Sequence, residues 1–169
     1  VGSAAAVSIV ALLLGWFAAP IQEITVRRLA DRTETTLTLA LRDRDRVLPI
    51  NLVFQAVHMD RPRRDLPDEL ALVFVASPLF AGSLDPSRPH LALVLDEGPD
   101  EETMTGNVDP QVPIGSMGTS MMPLGLEALQ RLARAQTIRG HIFHIQFTIS
   151  AAQIRQIEQF DRLVRRHPR

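Results

Sequence analysis

The sequence predicts an α+β fold: an antiparallel β-sheet of about five to six strands, two C-terminal amphipathic helices and an N-terminal apolar helix. Three observations carry this expectation. Short apolar runs with period two recur between Glu34 and Asp96, the period changes to about 3.6 after Pro123, and Ala4–Ile21 carries no charge at all. Strands that come first and helices that follow favour an antiparallel sheet with helices on one face or end. A β-sandwich carrying the same two helices is the near alternative.

The run Ala4–Ile21 spans 18 residues, at the border between a secretory apolar core and a short membrane span. Residues 1–21 therefore read as a signal peptide or membrane anchor, and residues 22–169 as a single α+β domain. No polar face interrupts the run, which argues against a half-exposed helix packed on a small domain. Its first flanking cations, Arg27 and Arg28, lie after it, which is the unfavourable orientation for export under the positive-inside rule. Ala18 and Ala19 would supply the small residues of a cleavage zone.

The first clear strand is ETTLTLALRD from Glu34, in which Leu37, Leu39 and Leu41 alternate with Thr36, Thr38 and Ala40. Leucines are expected on the dry face and threonines on the wet one. EITVRRLA just before it is its expected partner across a turn near Asp31–Thr33. Residues 49–57, 69–77 and 90–96 are three further apolar runs of strand length, separated by proline-bearing segments that interrupt a ladder. Residues 96–123, rich in Gly, Pro, Ser, Thr and acids, show no sustained period and read as a long loop.

After Pro123 the positions Leu126, Leu129, Leu132 and Ala133 fall on one side of a helix. A last strand over 138–149 follows, with Phe143, Ile145, Phe147 and Ile149 on its buried face. Ser150 with Gln153 then forms a capping-box pattern ahead of the stripe Ile154, Ile157, Phe160, Leu163 and Val164.

Composition excludes several activities. The chain has 169 residues, 46% hydrophobic and 22% charged, with a net charge of -1, so it is globular and offers no bulk field for nucleic acid. All 18 basic residues are arginines, so there is no lysine for a Schiff base or a phosphate-binding loop. With no cysteine there is no thiol nucleophile, thiolate metal site or disulfide.

The stretch GHIFHIQFTIS raises the question of a metal pair. On one strand His141 and His144 point to opposite faces, and no third ligand stands nearby, so no metal site, cofactor or catalytic set is expected. The glycine-rich segment before the first C-terminal helix could cradle a ligand through Ser116, Met117, Thr119, Ser120, Met121 and Met122. Its methionines could also simply fold over the core edge. The acids Asp96, Glu97, Asp100, Glu101 and Glu102 lack the spacing of a calcium loop.

The resulting expectation is an exported (periplasmic or extracellular) or membrane-anchored domain of the cell envelope, acting as a binding or structural module more readily than as an enzyme. Its partner would be an unidentified protein or small ligand, with membrane attachment through residues 4–21. One alternative is a hydrolase or metal-dependent enzyme in which His90, His141 or His144 meets an acid such as Asp96 across the sheet. The other is a small-ligand carrier with residues 96–123 as its lid.

Overall fold

The computed structural model describes residues 23–43, 46–60, 66–76, 90–96, 102–107, 109–114, 117–142 and 145–166. The apolar run Ala4–Ile21 lies outside them. Among the described residues no helix is long and apolar enough to cross a membrane.

The described residues form a mostly antiparallel sheet curled into a half-barrel, with two helices, so the α+β expectation stands in its coarse form. The strands are β1 (Glu23–Arg28), β2 (Arg32–Asp43), β3 (Arg46–Met59), β4 (Glu69–Ala76), β5 (His90–Leu95), β6 (Glu102–Asn107), β7 (Asp109–Ile114), β8 (Met117–Pro123), β9 (Ile138–Ile142) and β10 (Ile145–Ile149). The helices are α1 (Leu126–Arg134) and α2 (Ala151–Arg165). The strand order is β6-β5-β9-β10-β2-β3-β4-β8-β7, with β1 paired to β2 off this path.

Among the described residues ten strands stand where five or six were expected, in one sheet and not a sandwich. Two segments account for the excess. Residues 96–123, expected as a loop, hold β6, β7 and β8. Pro110 and Pro113 hid β7 from a pattern reading. They are tolerated because β7 is the last strand of the sheet and, among the described residues, pairs only with β8. Residues 138–149, expected as one strand, fold back as the β9–β10 hairpin, with Ile145 opposite Ile142 and Ile149 opposite Ile138.

The core lies between the helices and one sheet face. Leu37, Leu39 and Leu41 of β2, Leu52 and Phe54 of β3, Leu72 of β4 and Leu91 and Leu93 of β5 are almost wholly buried there. Leu129 and Leu132 of α1 and Ile157, Phe160 and Val164 of α2 close it from the other side, with the Phe54 and Phe160 rings 5.9 Å apart. Each such side chain contributes about 1.5–3 kcal/mol by leaving water. Gly140 on β9 faces this core directly opposite Phe147 and Leu93. A Cβ there would meet the Phe147 ring and stand 2.8 Å from Leu93 Cδ2, so the site requires glycine.

The other face of the sheet differs from expectation. Thr36 is buried and Thr38 half-buried, where threonines were expected to be wet. The reason is a second apolar cluster on that face, Val53, Val73 and Val75 with Ala71 and Met121 packed against it.

The two halves of the sheet meet at β2. Its Thr33–Thr38 portion pairs with β1, and among the described residues it meets β10 only through Arg42 opposite Thr148. The start of α2 reinforces this seam. Ser150 Oγ accepts from the Gln153 amide at 3.3 Å, Gln153 Oε1 accepts from the Ser150 amide at 2.9 Å, and Gln153 Nε2 donates to the Ala40 carbonyl at 2.8 Å. Ala40 borders the irregularity in the β2–β3 ladder at which Pro49 falls.

Candidate functional site

β2, β3, β4 and β8 run side by side, and their residues Glu34, Val57, Glu69, Ala71, Met121 and Pro123 share the face opposite the helices. Near one end of these strands a cavity of about 640 Å³ opens on that face. The volume suits a small organic ligand. Val57, Met59, Leu70, Ala71, Met121, Pro123 and Leu124 give it apolar walls. Its polar lining is Asp31, Arg32, Glu34, Gln55, Asp68 and Glu69.

The most unusual group in this lining is Glu34, which is 1% exposed. Its Oε1 accepts from Arg32 Nε at 2.8 Å, while Oε2 is buried with no hydrogen-bond partner among the described residues. A buried acceptor without a donor costs about 1–3 kcal/mol, and more when charged, so a position of this kind calls for an explanation. Hydrogen bonding to Glu34 holds the Arg32 guanidinium above its usual range; burial acts in the opposite sense, and charge attraction from Glu34, Asp31 and Glu69 adds to the rise. Arg32 Nη1 lies 3.7 Å from Asp31 Oδ2, so this guanidinium is shared between neighbouring acids. Asp68 has a structural task as well, since its Oδ2 accepts from the Met59 amide at 2.8 Å.

Of the residues singled out in the glycine-rich segment, Met121 lines the cavity and Met122 turns into the core at 9% exposure. Adjacent residues on a strand point to opposite faces, so these two cannot serve one ligand from β8. Met117, Thr119 and Ser120 lie on β8, Thr119 opposite Val75 and Ser120 opposite Phe74. Ser116 lies outside the described residues.

The described histidines do not meet in one metal-holding group. The hairpin puts Ile138, Gly140 and Ile142 on the buried side, so His141, in register with the expected buried set but near the strand's start where exposure is expected, is exposed and faces Gln146 and Ala92. Phe143 and His144 lie outside the described residues. Asp96 terminates β5 at a positive φ of 50°, and its Oδ1 accepts from the Gln136 and Thr137 amides, clamping the turn between α1 and β9. It stands about 13 Å along β5 from Ala92, the residue facing His141, by the rise of a strand. Among the described residues no group of three or more His, Asp or Glu side chains could hold a metal ion.

Two other concavities are less suited to a ligand. The cleft between α1 and α2, about 540 Å³, is lined by exposed charges, of which Glu158 pairs with Arg162 and Asp161 with Arg165. The groove of about 450 Å³ beside Asp43, Arg139 and His141 lies on the outer face of β9 and β10.

His58 and Glu34 are, with Thr35, buried polar residues among the described ones that sequence reasoning passed over. His58 is 1% exposed, with Nε2 2.9 Å from the Val164 carbonyl in the last turn of α2. The only signal for Glu34 was an acid next to Thr35 and Thr36 at the start of a strand with a leucine face. Compared with known proteins, the chain matches no family model, no curated protein and no solved structure.

Proposed function

We propose that the chain is a small-ligand binding module of the cell envelope, exported or tethered to a membrane through residues 4–21. Its ligand occupies the cavity bounded by β2, β3, β4 and β8. The observation that carries this reading is the cavity itself: about 640 Å³, lined by apolar side chains and by a part-buried ion pair in which one carboxylate oxygen has no donor among the described residues. A purely structural sheet gains nothing from an acceptor of this kind, whereas a binding site uses it to orient its ligand. Met121 belongs to this wall, in keeping with the sequence-based expectation that the segment before α1 takes part in binding.

A calorimetric screen with small amphipathic molecules tests the reading. Micromolar or submillimolar binding is expected for some members, and Ala71→Phe, which places a ring in the cavity, should weaken it at least tenfold while leaving the circular dichroism spectrum unchanged. A parent chain that binds nothing in the panel, or a variant that binds as well as the parent, would sink it. Fractionation of the full-length gene product tests the address: recovery of an uncleaved and wholly cytosolic chain removes the envelope assignment.

A further inference from the structure

We propose that the cavity takes an amphiphile with a cationic, hydrogen-bond-donating head, such as a primary amine or amidine on a short apolar body, with Glu34 as its counter-ion. The inference rests on the reading that this cavity is a ligand site, and it names the chemistry of the occupant.

Charge comes first. Asp31, Glu34 and Glu69 border the cavity, and among the described lining residues the one cation is Arg32. That cation is engaged by Glu34 at 2.8 Å and Asp31 at 3.7 Å, and Glu69 acts on it as well. An anionic head entering here would meet a wall of its own sign, and the guanidinium that could receive it is held by carboxylates.

Hydrogen bonding narrows the class further. A carboxylate offers acceptor sites on both oxygens, and Glu34 uses only Oε1. What Oε2 lacks is a donor; it is closed to solvent as it stands, so the Glu34 side chain turns toward the cavity to receive one, and a charged N–H donor makes the strongest such bond. A tertiary or quaternary ammonium supplies the charge with fewer N–H groups or none. A bare metal ion fits poorly, because calcium needs six or more oxygen ligands and no cluster of three acids converges among the described residues. The apolar lining on this face, Val57, Ala71, Met121 and Pro123, matches an apolar body and not a second charge.

The test is isothermal titration of the whole chain with three probes of one length, n-octylamine, n-octanol and n-octanoate, at neutral pH. The expected result is that octylamine binds at least tenfold more tightly than either of the others, and that Glu34→Gln removes this advantage while leaving octanol binding in place. Octanoate equal to or tighter than octylamine overturns the inference, as does an undiminished amine preference in Glu34→Gln. If all three bind alike and Ala71→Phe abolishes them together, the cavity reading survives and the cation assignment fails. If none binds the unaltered chain, both fall. Because Glu34 partners Arg32, the variant's folding is checked by its melting temperature. The three-probe comparison on the unaltered chain decides the question whether or not that variant folds.

Discussion

His58 closes a distance of 106 residues in sequence by bonding from β3 to the Val164 carbonyl. The last carbonyls of a helix have no intrahelical donor, and this one is covered by protein, so the imidazole replaces water. His58→Phe keeps a flat side chain of similar size but leaves that carbonyl without this donor. The expected loss is about 1–3 kcal/mol in urea unfolding, with His58→Gln recovering part of it by restoring an N–H. An unchanged midpoint in His58→Phe would show that the bond contributes nothing. Neither His58 nor Glu34 was legible as a buried polar group, because burial of both depends on elements distant in sequence. His141, which the sequence made conspicuous, is exposed instead: the hairpin turn that resets its face leaves no period-two signature.

Where the physics is local, elements were legible. The capping box at Ser150 and Gln153, the stripe Ile154, Ile157, Phe160 and Val164 of α2 and the dry face Leu37, Leu39 and Leu41 all follow from spacings within one element, and each has its expected counterpart in the structure, whereas Leu163 is only half-buried and the threonine face of β2 is not wet. The box carries one addition that the pattern did not contain, the bond from Gln153 Nε2 to Ala40. This makes the two capping residues unequal. Ser150→Ala should cost about 1 kcal/mol, as for an ordinary N-cap. Gln153→Ala should cost about 2 kcal/mol or more, because it also removes a donor from a buried carbonyl. Thermal unfolding of the two variants checks the ranking, and equal losses would mean that the Ala40 bond is without consequence. The strands of the 96–123 segment were illegible for a different reason. Edge strands do not need a continuous donor row, so β7 can hold prolines that elsewhere mark loops. The cavity shared this fate, since Met121 could be singled out from its segment but its neighbours Glu34, Gln55 and Glu69 come from other strands.

At the scale of the whole molecule, the class was legible and the strand order was not. The arrangement places β10 beside β2 and β5 beside β9, pairs whose members lie far apart along the chain. No local preference encodes such neighbours; they are selected by the shared need of many apolar faces for one core. The resulting sheet has one continuous portion, β2-β3-β4, and a wing, β6-β5-β9-β10, joined among the described residues by the bridge between Arg42 and Thr148. Native-state hydrogen exchange should therefore find β9 and β10 opening at lower free energy than β2 and β3. Gln153→Ala should widen that gap by speeding exchange in β9 and β10 more than in β3. Uniform protection across both portions would contradict it.

That seam also determines how the molecule would respond to load. A pull that separates the wing from β2 bears on a short row of backbone bonds, which would open one after another if nothing shared the stress. The first turn of α2 shares it: the helix continues directly from β10 and grips Ala40 of β2 through Gln153, while its far end is held to β3 by His58. The helix is thus a strut fastened on both sides of the weakest joint. Single-molecule extension across the two portions should yield at a force governed by the anchors of α2, and only secondarily by the ladder beneath it.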